Sequence, residues 1–169
     1  TCALPILTLT DVVVRSGKAV RGGGILVSGG TLHTLGKTRL YGNKAEGDPG
    51  ASGGAIYSVY GVLDIGGSTT IQGNSATGNG GGIEAIRSEV LLSGAAAVRG
   101  NIAGVAGGGI HLGGGSTLTM LSTTTIARNE AFDVGGGLAV EGAMNQVTLA
   151  GHASVRRNRT TEDRKSTRL

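Results

Sequence analysis

The sequence predicts an all-β fold: a right-handed, single-stranded parallel β-helix, a solenoid with about 27–31 residues per coil and three short strands per coil. Three observations carry that reading. A Gly-Gly-small-aliphatic block recurs at Gly22–Ile25, Gly53–Ile56, Gly80–Ile83, Gly107–Ile110 and Gly135–Leu138. An aliphatic-x-x-Asn block keeps step with it, pairing Leu40 with Asn43, Ile71 with Asn74, Val98 with Asn101, Ile126 with Asn129 and Val155 with Asn158. The composition agrees, because 34 Gly, no Trp and one Phe in 169 residues leave a core of small and aliphatic side chains.

Each block has a local reason. The glycines precede a strand in every coil, where a sharp corner or a left-handed backbone excludes side chains. In the strand that follows, alternation turns Ile25, Ile56, Ile83, Ile110 and Leu138 inward, joined two residues on by Val27, Ala85, Leu112 and Val140. The next strand is Thr31–Thr34, Gly61–Asp64, Glu89–Leu92, Thr117–Met120 and Gln146–Leu149, again alternating. The third strand ends at the Asn column. Asn43, Asn74, Asn101, Asn129 and Asn158 are expected to form a structural amide ladder, one side chain on the next coil's. Gly17 stands where Asn stands later, in an incomplete first coil that begins at Leu7. The interval Glu46–Gly50 is rich in turn formers and is expected to bulge as a loop. Leucine-rich repeats need a Leu-x-x-Leu-x-Leu ladder that is missing, and helical repeats do not tolerate the glycine clusters.

The two ends read differently. Thr1–Ile6 can be encoded by a DNA string whose reverse complement encodes Asp163–Arg168, and that string resembles a sequencing-library adapter. Residues 1–6 and 163–169 are therefore expected to be foreign to the natural chain. That leaves 7–162 as about five coils plus a partial one, open at both ends. Cys2 and about half of the net charge of +4 fall in those foreign ends. The remaining basic residues lack interleaved aromatics, so no nucleic-acid partner is expected. No apolar run approaches the roughly 18 residues of a membrane span.

Gly53-Gly54-Ala55-Ile56 is the Gly-Gly-Ala-Ile motif of the polymorphic outer-membrane protein repeat, and the aliphatic-x-x-Asn block resembles its Phe-x-x-Asn partner, with Leu, Ile or Val in place of Phe. The wider pattern resembles bacterial β-helix surface proteins of the pectin-lyase-like fold. That resemblance implies an exported protein at the outer membrane, on the cell surface or secreted, adhesin-like or carried as an autotransporter passenger. Its implied partners are glycans or host and cell-surface molecules, beside flanking coils of the same longer chain.

The pectin-lyase-like fold also hosts carbohydrate-active enzymes, whose chemistry would need paired carboxylates or basic groups on the outward columns. The residues after the glycine blocks are Leu26, Tyr57, Glu84, His111 and Ala139. Tyr57, Glu84 and His111 form the one constellation suited to a polysaccharide lyase or glycoside hydrolase, with Glu141 two positions further along. The competing expectation is a solvated face with a favourable Glu–His pair. No Asp follows the glycine blocks as a calcium repeat requires, and no cofactor or metal is expected. Arg99, Arg128, Arg156 and Arg157 make a loose basic strip near the Asn column that could meet anionic glycans. The leading expectation is a non-catalytic surface module, and the enzyme is its alternative.

Overall fold

The computed structural model describes residues 4–47 and 50–161. They form a parallel β-solenoid with no helix, in which every strand pairs in parallel with its equivalent on each adjacent coil, the end strands of each sheet having one such partner. Each coil visits four sheets in turn. The first sheet stacks the Thr31–Leu35 type of strand six deep, the second the Arg39–Tyr41 type six deep, the third the Lys44–Ala45 type six deep and the fourth the Ile25–Ser28 type five deep. The first, second and fourth sheets are the three strands expected. The third is an addition of two residues per coil, the Asn-x-Ala segment: Asn ends one strand in a corner, and two extended residues fit before the glycines. A two-residue strand is too short to show alternation, so no sequence period announces it.

The register follows the repeat. Ile25, Ile56, Ile83, Ile110 and Leu138 are mutual partners along the fourth sheet. Leu40, Ile71, Val98, Ile126 and Val155 are partners along the second, preceded by Val14. Leu32, Leu63, Val90, Leu118 and Val147 are partners along the first. A one-residue slip would turn all three columns outward, so the aliphatic pattern fixes the pairing. These columns meet in one core in which the large aliphatic side chains of the central coils are fully buried. A fully buried Ile or Leu contributes about 1.5–3 kcal/mol relative to exposure, so the columns are the main source of stability.

The glycine triplets have two separate causes. Gly80 opens its block at φ 61°, a left-handed corner, and an added Cβ there would come within 3.0 Å of the Ile83 carbonyl. Gly81 needs no unusual angle; a Cβ on it would strike the backbone of Ile102 and Gly108 on the next coil. Turn geometry demands the first glycine, and close approach between coils demands the second.

At the ends, the Pro5 carbonyl accepts from the Thr31 N–H (2.9 Å) and Ile6 begins the first strand, paired with Thr31. Residues 163–169 and Cys2 lie outside the described residues. So do Asp48 and Pro49 of the expected loop.

Candidate functional site

The Asn column is a continuous ladder. Each Nδ2–H donates to the Oδ1 of the next coil, from Asn43 to Asn74 (3.0 Å), Asn74 to Asn101 (2.9 Å), Asn101 to Asn129 (3.0 Å) and Asn129 to Asn158 (3.0 Å). The backbone N–H of each donates to the same oxygen, and a second Nδ2 bond reaches the carbonyl of the aliphatic residue one coil back, such as Asn74 to Leu40 (3.1 Å). Four of the five are buried, and all their amide groups are engaged within the fold. At the first coil Gly17 offers only its N–H, which donates to Asn43 Oδ1 (3.0 Å), so the ladder ends where the side chain is missing.

A second polar column runs at the entrance to the first sheet and was not anticipated. Ser88 Oγ accepts from the Gly61 N–H (3.1 Å) and lies 3.0 Å from Ser58 Oγ. Ser116 Oγ accepts from the Ser88 N–H (3.1 Å), and Asn145 Oδ1 from the Ser116 N–H (2.7 Å). Its trace in the sequence is the residue preceding each first-sheet strand: Gly30, Gly61, Ser88, Ser116 and Asn145. Because residue type changes from coil to coil, the column does not stand out as a motif.

The fourth sheet brings the three candidate catalytic residues side by side, with Tyr57 paired to Glu84 and Glu84 to His111. Two of them form a bonded pair: His111 Nδ1 lies 3.0 Å from Glu84 Oε1. His111 Nε2 points the other way, 3.3 Å from Glu141 Oε2, without hydrogen-bond alignment. Tyr57 takes no part in these bonds; its ring receives the Arg21 guanidinium at 5.4 Å.

The face is not solvated as expected. The side chains of Glu84 and His111 are each 4% exposed, although alternation aims them away from the core. Part of the cover comes from Gly113: a Cβ there would lie 3.0 Å from Ile86 Cδ1 and 3.6 Å from His111 Cε1. The Ile86 side chain and the imidazole edge therefore both border the slot that glycine leaves. The Glu84 Oε2 atom is buried without a protein partner.

Burial holds the Glu84 carboxyl above its ordinary value of 4.5, against the opposing hydrogen bond and charge of His111. Burial alone would lower His111, but the hydrogen bond and charge of Glu84, with the charge of Glu141, outweigh it and raise the imidazole above 6.5. Both shifts favour the protonated form of their group.

A similar arrangement occurs on the first sheet, where His33 Nδ1 lies 3.0 Å from Asp64 Oδ2 with both side chains over a third exposed. Among the described residues no group of three His, Cys, Asp or Glu side chains has the spacing of a metal site. No helix among them is long and apolar enough to cross a membrane.

The family model of the Chlamydia polymorphic membrane protein repeat matches residues 68–85. That stretch is similar to one repeat of the family, and it contains the second-sheet strand Thr70–Gln72, the ladder residue Asn74, the glycine triplet and Ile83. No curated protein and no solved structure shows significant similarity to the chain.

Proposed function

We propose that the chain is a non-catalytic stretch of an exported bacterial surface protein, adhesin-like or an autotransporter passenger, whose solenoid presents outward faces to molecules outside the cell. The observation that carries this reading is the division of labour within each coil. Interior columns, glycine corners and the Asn ladder repeat, whereas the outward side chains differ from sheet to sheet. A solenoid built this way is an extended scaffold for recognition. The match of residues 68–85 to a repeat of membrane proteins supports placement at the outer membrane or surface.

The alternative was a polysaccharide lyase or glycoside hydrolase using Tyr57, Glu84 and His111. Burial favours a packing role for the pair, because a glycan chain cannot contact side chains that are 4% exposed. The test is antibody against the purified protein applied to intact bacteria expressing the gene. Labelling of intact cells, removed by external protease, is expected. Labelling only after permeabilisation would overturn the reading.

A further inference from the structure

We propose that the outward face of the second sheet is a binding site for a linear acidic polysaccharide, its carboxylate or sulfate groups held by Arg15, Arg39, Arg99, Arg128, Arg156 and Arg157. The proposal rests on the surface-module reading above and names the chemistry of one partner.

The face consists of two outward columns. One runs Val13, Arg39, Thr70, Ala97, Thr125, Ser154; the other runs Arg15, Tyr41, Gln72, Arg99, Ala127, Arg156. Five strand spacings make it about 24 Å long, enough for several sugar units laid along the solenoid axis. The strands of this sheet contain no acidic residue, and Asp11 is the one carboxylate lining the two depressions on its face. Asp11 is partly committed, since its Oδ1 accepts from the Lys37 N–H at 2.7 Å.

The neighbouring third sheet shows that this segregation is specific. There two of the three cations are ion-paired in place, Lys18 with Glu46 (2.9 Å) and Arg159 with Glu130, and Lys44 flanks the same Glu46. On the second sheet the guanidiniums have neutral partners instead. Arg99 Nε–H donates to Gln72 Oε1 (3.0 Å), and Arg15 donates to the Tyr41 hydroxyl (3.3 Å). Such bonds orient a guanidinium while leaving its charge and most of its N–H groups available.

Two further features point to a ligand. The corner after this strand carries Ser16 (φ 57°) in the first coil and Gly42, Gly73 and Gly100 at φ near 60° in the next three, but Arg128 (φ 56°) and Arg157 (φ 55°) occupy the same place in the last two coils. Side chains rarely adopt that backbone, so two long cations are held there at a conformational cost that glycine would avoid. Between them and Arg99 and Arg156 lies an open depression of about 240 Å³, floored by Ala97, Thr125 and Ala127. A second depression of about 520 Å³ adjoins it through Arg99, beside Arg39 and Lys37. The small residues of the floor leave room beneath the charges, and the Thr, Ser and Gln side chains are matched to sugar hydroxyls.

The guanidinium fork fits planar carboxylates and sulfate oxygens bidentately. A nucleic acid would instead need stacking platforms, and Tyr41 is the single aromatic on the face.

The test is binding of the purified protein to heparin and to polygalacturonate across a salt series, with duplex DNA as a third probe. The triple variant Arg99→Ser/Arg128→Gly/Arg156→Ser is expected to bind about tenfold more weakly or worse, the loss expected of three charge-assisted contacts. Lys18→Ser/Lys44→Ser/Arg159→Ser removes the same charge from the third sheet and is expected to change affinity less than about threefold. Retention on heparin alone assigns the site to sulfate, and on polygalacturonate alone to carboxylate. Equal loss in the two triples, no binding to either polysaccharide, or equally tight, equally variant-sensitive binding of DNA overturns the proposal. Surface labelling of cells involves no glycan, so failure here and failure of the surface reading are separately visible.

Discussion

Two histidine–carboxylate pairs occupy this solenoid in nearly the same way and differ most in burial, His111 also having Glu141 3.3 Å from its Nε2. His111–Glu84 and His33–Asp64 each join outward residues of adjacent coils, with Nδ1 3.0 Å from a carboxylate oxygen. The side chains of the first are 4% exposed and those of the second 37% and 36%. The Nδ1–carboxylate distance is therefore the same while exposure to solvent varies. Near water, an ion pair gains little beyond what hydration already supplies, and salt screens it. Buried in the fourth sheet, each partner of the first pair depends on the other, because neither charge has water to fall back on.

The largest expected effect comes from breaking the buried pair on one side. His111→Ala strands Glu84 and is expected to lower stability by about 3 kcal/mol at neutral pH, measured as a shift of the urea unfolding midpoint. Glu84→Leu/His111→Leu, which removes both charges and keeps the volume, is expected to restore stability to within about 1 kcal/mol of the parent or above it. A double variant as unstable as the single one would show that the pair adds net stability and does not merely satisfy itself.

A smaller effect is expected from pH. Both buried groups titrate above their ordinary values, so between those values and their raised ones the folded state binds more protons than the unfolded state. Unfolding free energy then falls as pH rises. The Glu84 contribution is present below 4.5 and is lost as pH rises through its elevated folded value. The His111 contribution is present below 6.5 and is lost above it. Melting curves across that range should decline toward alkaline pH in the parent and flatten in the leucine pair. A parent whose stability rises through that window would contradict the assignment.

The smallest effect is reserved for the exposed pair. His33→Ala is expected to change stability by no more than about 1 kcal/mol, and any change should shrink in high salt. A loss equal to that of His111→Ala would mean that burial is not what separates the two pairs.

The same distinction between direction and environment explains what the sequence revealed about the fold and the site. The aliphatic columns and the Asn ladder were legible because each residue's role is set by its place in the period: Ile71, Val98 and Ile126 face inward wherever the coil pairs, and Asn74 meets Asn101 one coil later. The pairing of Glu84 with His111 was legible for the same reason, since both follow a glycine block by one residue. Their burial was not. It depends on how side chains of neighbouring coils fill the space around them, such as Ile86 bordering the slot left by Gly113, which alternation does not encode. The Ser88–Ser116–Asn145 column was obscured by its changing residue types. The third sheet was too short to have a period.

The sequence by itself determined the architecture, the coil length, the register and the ladder, because a strict repeat stacks like on like and a parallel register admits one solution that buries the aliphatic residues. Only the tertiary structure decided which outward faces meet solvent and how charge is distributed over them. Exposure is a property of what neighbouring side chains cover. Buried Glu84 and His111 therefore became a coupled pair, while the arginines of the second sheet remained open as a cationic face.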